Sequence, residues 1–399
     1  CIMGVFQNNL MGAAAAAASA STDFYSHQID TSLRNSAAQD GTLKWTAGTP
    51  TSRDTFTLSY WVKRYTDDTD GAANNVFVAG TGGGTYFIIG FSSNDFWVEG
   101  AGGNYSNSWL ITDRKARDIS AWYHVVYRFD STQSSTSNRF RLYVNGEQET
   151  SFSNYSIQSD IAQNEDWSFI NESGVVQAFG GLSGKGHGTE GADLQMAEIV
   201  FCDGQSYGPD SFGETKNGVW IPKDPSGLTF GNNGYYLKFE SSSDLGNDSS
   251  GNNNDFTANN LSAHDQLLDS PTFGSSNGGN YCTLNPLNTG SNNTLSEGNL
   301  KVTNSSGGCT IMGTMSLVTG YKWYFEARCT GSGNNWIGII EENDYTDSAN
   351  TNSSIAGSGS YNTYLYAHSG DIYYGSSSAS LGASFTTGDV IGVLVDLES

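Results

Sequence analysis

The sequence predicts an all-β protein of two antiparallel β-sandwiches behind a short alanine-rich head. Three observations carry this. Hydrophobic residues alternate with a period of two from Thr55 onward. The intervening stretches have turn chemistry, with 49 Gly, only 6 Pro and dense Ser, Thr and Asn. At 399 residues the chain exceeds one ordinary sandwich and suffices for two, each able to bury its own core. Aromatic residues, 13% of the chain, supply much of the apolar surface such cores need.

The first 45 residues differ from the rest of the chain. CIMGVFQNNLMGAAAAAASAS is a low-complexity lead, read as an attachment segment, with an unstructured tail as the alternative. Its docking residues are Ile2, Val5, Phe6 and Leu10, with Phe24 and Tyr25. From Thr55, residues Phe56, Leu58, Tyr60 and Val62 alternate with Thr57, Ser59, Trp61 and Lys63, as a sheet strand requires. Val76 to Ala79 and Tyr86 to Phe91 read as a hairpin around Gly80 to Gly84. AWYHVVYRFD and RFRLYVNGEQE are longer strands, the second ending on the turn signal Asn145-Gly146. Further strands are expected at Trp167 to Ile170, Val175 to Phe179, Leu194 to Phe201 and Tyr235 to Glu240.

The first sandwich is expected to span residues 46–258. Residues 259–285, with Pro271 and a Gly/Ser/Asn cluster, read as a linker. The second sandwich is expected over 286–399, with strands at Lys301 to Asn304, Cys309 to Met312, Lys322 to Cys329, Trp336 to Glu341, Tyr361 to Ala367, Asp371 to Tyr374 and Val390 to Asp396. A core strand ending the sequence predicts that the natural polypeptide continues beyond Ser399.

The formal charge of −23, from 41 Asp and Glu against 18 Lys and Arg, repels a phosphate backbone and excludes nucleic acid as a partner. Neither a secretory signal nor a membrane-spanning stretch is legible. The five cysteines lack any C-x-x-C pair. They read as free thiols, the alternative being a bridge between two of Cys282, Cys309 and Cys329.

FTLSYWVKR, AWYHVVYRFD, RFRLYVNGEQE and DLQMAEIVFCDG, over residues 56–204, resemble in order the strands of laminin-G-like, concanavalin-type domains. GYKWYFEARC, NNWIGIIEEN and TGDVIGVLVDLES resemble the strands of a SPRY domain, which normally continues further. The combination behind an alanine-rich head resembles multi-domain structural proteins of marine tailed phages. That resemblance implies a non-enzymatic virion protein on the particle surface, a fibre or attachment protein. It would be assembled in the host cytoplasm, joined to other virion proteins by its N-terminal segment and trimeric or of higher symmetry. Its ligand would be host-surface polysaccharide. The alternative is a soluble or cell-surface carbohydrate-binding module, a lectin or adhesin.

Concanavalin-type folds include glycoside hydrolases, whose paired carboxylates share one face of a strand. Glu190, Asp193 and Glu198 are the nearest match, and their spacing breaks the required period. The histidines show no H-E-x-x-H spacing and the chain has no G-x-S-x-G turn. His124 therefore reads as a hydrogen-bonded sheet histidine, and Gly180 to Gly186 as a loop. No cofactor is required. Calcium is the one metal suggested, because Asp244, Asp248, Asn252, Asn254 and Asp255 offer hard oxygens in one loop, a solvated turn being the alternative. Asp67, Asp68 and Asp70 read as an exposed loop tip. For sugar binding, the candidate stacking platforms are Trp97, Tyr105 and Trp109, although strand aromatics mostly fill cores.

Overall fold

The computed structural model describes residues 24–65, 73–82, 84–102, 108–182, 192–272, 279, 281–307, 310–317, 319–320, 322–331, 333–341, 362–375, 377–397. The chain divides into two compact units, the first closing at Tyr281 and the second formed by Cys282–Ser399. The docking residues Ile2, Val5, Phe6 and Leu10 lie outside the described residues.

The strands of the first unit are β1 Ser32–Asn35, β2 Thr42–Thr46, β3 Thr55–Arg64, β4 Ala73–Gly82, β5 Thr85–Ser92, β6 Asp95–Ala101, β7 Ser108–Lys115, β8 Tyr123–Asp130, β9 Phe140–Val144, β10 Glu147–Gln148, β11 Phe152–Asn154, β12 Val176–Phe179, β13 Leu194–Asp203, β14 Gly213–Lys216, β15 Val219–Pro222, β16 Tyr235–Leu237, β17 Thr257–Asn259 and β18 Gln266–Leu267. The helix α1, Ser156–Asp160, has five residues. Two eight-stranded antiparallel sheets form the sandwich. One runs β10-β9-β8-β3-β13-β1-β18 with β16 also on β13, and the other runs β11-β7-β6-β5-β4-β12-β2-β17.

The alternation predicted from Thr55 sets the layers. Phe56, Leu58, Tyr60 and Val62 face the opposing sheet and join Phe77, Phe87, Ile89, Val98, Leu110, Phe129 and Leu142 in one core. Trp167 lies at its heart, with ring centroids 4.4 Å from Phe129 and 4.8 Å from Phe87. Residues 167–170, predicted as a strand, form a loop instead. Their apolar content serves to insert Trp167 between the sheets rather than to extend one. The Asn145-Gly146 signal is realised as a tight turn between β9 and β10, both residues at positive φ (49° and 81°).

The other face of β3 is also buried, although three of the four residues it presents are polar. Thr57, Ser59, Trp61 and Lys63 are covered because the chain folds back over this sheet. Residues 205–230, with the β14–β15 hairpin, pack Phe212 and Phe230 against Val126, Val200 and Tyr236. His124 is enclosed there. Its Nδ1 accepts the Trp220 indole N–H at 3.0 Å, so Nε2 is the protonated nitrogen that meets Ser59 Oγ at 2.9 Å. Burial lowers its pKa to about 3. It is a neutral, hydrogen-bonded sheet histidine.

Both predicted boundaries of this sandwich move outward. Residues 24–45, assigned to an attachment segment, include β1 and β2, and β1 lies between β13 and β18. Tyr25 is buried against the fold itself, and Phe24 packs edge-on to it at 5.0 Å with the Lys216 ammonium 5.5 Å from the Phe24 ring. Tyr25 and Phe24 are therefore part of the sandwich and not free docking groups. Residues 259–281, assigned to a linker, supply β18 and the buried Asp265 and Asp269, which pair with Arg34 at 2.8 Å and Lys63 at 2.9 Å. Turn-rich composition resembled a linker, but two buried cations require these carboxylates.

In the second unit the strands are β19 Leu284–Thr289, β20 Asn293–Ser296, β21 Lys301–Asn304, β22 Ile311–Gly313, β23 Lys322–Arg328, β24 Trp336–Ile340, β25 Thr363–Ala367, β26 Asp371–Tyr374, β27 Ser377–Ser380 and β28 Val390–Asp396. They pair as β19–β22, β20–β21, β23–β28 and the four-stranded β24-β25-β26-β27, all antiparallel. Cys329, Ile337 and Phe385 form a small core with Phe325, Tyr366, Ile391 and Val393 against it. The Cys329 thiol is free and donates to the Gly331 carbonyl, and Cys202 is a buried free thiol raised to about 12 by desolvation. Cys1 and Cys309 lie outside the described residues.

Candidate functional site

Side chains on the β5–β6–β7 sheet that do not enter the main core point away from the opposing sheet. On this outer face Val78, Ile88 and Trp97 pack together, with Tyr86, Ile111 and Leu182 against them. Trp97 is only 5% exposed, so it is a packed residue and not the open stacking platform expected of it. Trp109, half-buried, lies opposite Glu99 across the β6–β7 ladder, and the Tyr86 hydroxyl donates to Glu99 at 3.1 Å. Burial, then the Glu99 charge, raises Tyr86 to about 12. Tyr105 lies outside the described residues.

Further along the same sheet, where β12, β2 and β17 run side by side, is a shallow cleft of about 340 Å³. Lys44, Trp45, Thr46, Val176, Asp255, Thr257 and Asn259 line it. Backbone pairing sets Thr46 beside Val176 and Lys44 beside Thr257. Trp45 packs into the sandwich against Phe256 (5.8 Å) and Tyr235 (6.0 Å), which fixes β2 under the cleft. The result is an apolar floor with an ammonium, a carboxylate, an amide and two hydroxyls around it, groups that together donate to and accept from vicinal hydroxyls.

Asp255 reaches the cleft from the loop predicted to hold calcium, and the structure gives that loop another role. Both Asp248 oxygens are occupied by donors: the Tyr236 and Ser250 N–H groups at 2.8 Å, the Ser250 hydroxyl at 2.8 Å and the Asn254 N–H at 3.0 Å. Asp255 Oδ1 accepts the Asp248 N–H at 2.8 Å. Asn252 and Asn254 turn their NH₂ groups onto the Gly234 carbonyl (2.8 and 2.9 Å), so donors rather than acceptors point inward. Asp244 is exposed. Among the described residues no group of three or more His, Cys, Asp and Glu is placed to hold a metal ion. These residues form a hydrogen-bonded frame that presents Asp255, in keeping with the turn that was the alternative to a calcium site. Gly246 is essential to the frame, since a Cβ there would lie 1.7 Å from the Phe256 carbonyl oxygen.

A second buried frame stands at the start of β3. Asp203, fully buried, accepts N–H groups of Thr51 (2.6 Å), Ser52 (3.1 Å) and Asn233 (3.0 Å) and the Asn171 amide (2.6 Å). The carboxylates considered for hydrolysis are not brought together as an acid pair. Asp193 accepts the Ala37 N–H at 3.1 Å, Glu198 bonds His27 and Tyr236 of the neighbouring strand β16, and Glu190 lies outside the described residues. Also outside them are Asp67, Asp68 and Asp70, together with residues 183–191, which include most of the Gly180 to Gly186 loop. Sequence reasoning missed Lys44, Thr46, Thr257 and Asn259. Their period-two polarity in β2 and β17 was the available signal, and both strands lay at or beyond the presumed boundaries.

Residues 37–183 match the family model described as the concanavalin A-like lectin/glucanases superfamily, and residues 322–399 match the SPRY domain model. No curated protein matches the sequence. Among solved structures, the chain is similar to a Bacteroides ovatus protein described as carbohydrate binding, with 16% identity and a TM-score of 0.38. That alignment covers 59% of this chain and 61% of the other, so it spans less than two thirds of that protein. The CBM40 module of a Ruminococcus gnavus sialidase, bound to α2,3-sialyllactose, aligns at 13% identity and TM-score 0.29 over 46% of this chain and 96% of the module. A botulinum neurotoxin type C structure aligns at 11% and 0.26 over 39% and 34%. Two separate stretches of the chain are therefore similar to known domain families, residues 37–183 to the concanavalin A-like lectin/glucanases superfamily and residues 322–399 to the SPRY domain.

Proposed function

We propose that the protein is a non-enzymatic glycan-binding protein whose first sandwich holds carbohydrate on the outer face of the sheet containing β2, β12 and β17. The observation that carries this is the cleft between those strands: open, about 340 Å³, floored by Val176 and rimmed by Lys44, Thr46, Asp255, Thr257 and Asn259. Shallow clefts of mixed donors and acceptors suit sugars, which expose hydroxyls on their edges and C–H groups on their faces. Asp255 is the one carboxylate among the described lining residues, whereas glycosidic cleavage requires two flanking the scissile bond.

The finer reading is a virion protein on the surface of a tailed phage particle, an oligomer of trimeric or higher symmetry that helps attach the particle to host polysaccharide. The strongly acidic chain, at −23, and the tandem of two sandwiches after an alanine-rich lead favour it. On that reading other virion proteins hold the N-terminal segment.

A glycan array probed with the full chain tests the binding reading. Selective retention that is lost in Asp255→Ala/Thr257→Ala supports it. Absence of retention on bacterial polysaccharides and on sialylated and neutral oligosaccharides, with a folded protein, overturns it. Antibody labelling of purified particles tests the location separately.

A further inference from the structure

Glu198 interrupts β13. Pairing with β3 slips between Ala197 and Val200, and Glu198 takes a φ of 48°. A left-handed backbone is costly for a residue with a Cβ, by about 1–2 kcal/mol, and persists where surrounding contacts enforce it. Here the contacts are polar. The Glu198 carboxylate, 6% exposed, accepts the Tyr236 hydroxyl and Nε2 of His27 on the same oxygen.

His27 belongs to the segment Phe24 to Thr31, which crosses the outer face of this sheet before β1. Its other attachments to the fold are mostly neutral. Tyr25 and Ile29 are buried, the Ile29 N–H and carbonyl both bond the Thr272 hydroxyl at 2.9 Å, and the Thr31 hydroxyl donates to the Phe239 carbonyl at 3.0 Å. Ser26 donates to Glu214 of β14 at 2.8 Å, and Lys216 of the same strand sits over the Phe24 ring. The groups acting on His27 come from three elements: Glu198 and Asp224 favour its charge and Lys238 opposes it, Lys238 itself being paired with Glu240. The Tyr236 hydroxyl completes the cluster.

We propose that His27 and Glu198 form a pH-sensitive latch, holding the segment around residues 24–28 on the sandwich while the imidazole is protonated and releasing it when the proton leaves. Desolvation disfavours the imidazolium, but the hydrogen bond and charge of Glu198 outweigh it, and the pKa is raised above its ordinary 6.5. A raised histidine pKa stabilises the closed segment fully below 6.5 and ceases to do so as pH rises through the folded-state value. Loss of the proton from Nδ1 leaves Nε2–H as a neutral donor, so Glu198 keeps a hydrogen bond but stays buried without the opposing charge beside it, which favours local opening.

Hydrogen exchange of the full chain between pH 6 and 9, corrected for intrinsic rates, reads the latch directly. Expected is a loss of protection in peptides covering residues 24–31, about tenfold for each unit by which the folded pKa exceeds the free one. A reference peptide from β8 should not change. His27→Gln, which keeps a neutral donor to Glu198, should give low, pH-independent protection at residues 24–28. Constant protection in the wild type, or an unchanged pH dependence in His27→Gln, overturns the proposal. An NMR titration supplies a second readout. The His27 midpoint should lie above 6.5 and fall in Glu198→Gln, and a wild-type midpoint at or below 6.5 also overturns it.

Discussion

Lys63 and Asp269 form an ion pair at 2.9 Å inside the first sandwich, with the ammonium at zero exposure. Asp269 also accepts the Trp122 indole N–H at 3.1 Å, and the Lys63 ammonium donates to the Tyr281 carbonyl at 3.3 Å. The pair ties β3 to a stretch 206 residues later, the part whose composition resembles a linker.

Removing one member of this pair leaves the other charged in a dry site. Asp269→Ala is expected to destabilise the first sandwich by about 3–5 kcal/mol, read as a lower midpoint in urea. Lys63→Met/Asp269→Leu should recover most of that loss. A truncation ending at residue 258 should fail to give a cooperative transition, whereas one ending at residue 281 should keep it.

His124 must be neutral to stay where it is. Its pKa near 3 lies below the unfolded value of 6.5, so its contribution to stability is full above 6.5 and declines as pH falls toward 3. At pH 4 this amounts to about 3 kcal/mol. Urea titrations at pH 7 and 4 should therefore show a smaller acid penalty in His124→Gln, which can still meet Ser59 and Trp220. An equal penalty in both proteins would refute the assignment.

Chelators should have no effect. Asp248 already accepts four hydrogen bonds and the loop amides point their NH₂ groups inward, so EDTA is expected to leave Tm unchanged. A Tm drop reversed by calcium would restore the loop as a metal site.

Gly246→Ala places a methyl where the Phe256 carbonyl stands, 1.7 Å away. The expected cost is about 1–3 kcal/mol, because backbone rather than a flexible side chain must move. Displacement of the loop should also shift Asp255. Glycan affinity in Gly246→Ala is therefore expected to fall by more than the unfolded fraction explains, measured by calorimetry well below Tm.

Where tertiary coverage did not intervene, the sequence was legible. The alternation in TFTLSYWVKR established which side of β3 faces the core, and Asn145-Gly146 located a turn, because both depend on local backbone geometry. β21, β26 and β28 run over the residues predicted. Trp167 was misread because an apolar run does not reveal whether it extends a sheet or plugs one. Trp97, a candidate platform set against the core-filling habit of strand aromatics, is covered by Ile111 across the β6–β7 ladder and by the distant Leu182, and that cover is not readable from its own strand.

Composition, period and turn residues act locally, and they were enough to specify an all-β chain, two sandwiches, a strongly acidic character and a hydrogen-bonded sheet position for His124. Three further features emerge once the chain is folded: residues 259–272 belong to the first sandwich, an Asx-rich loop is a hydrogen-bonded frame, and Lys44, Asp255, Thr257 and Asn259 meet in one cleft. These depend on β2 pairing with β17, more than two hundred residues apart. Partners that distant are chosen by buried charge and packing, and neither is written in the residues between them.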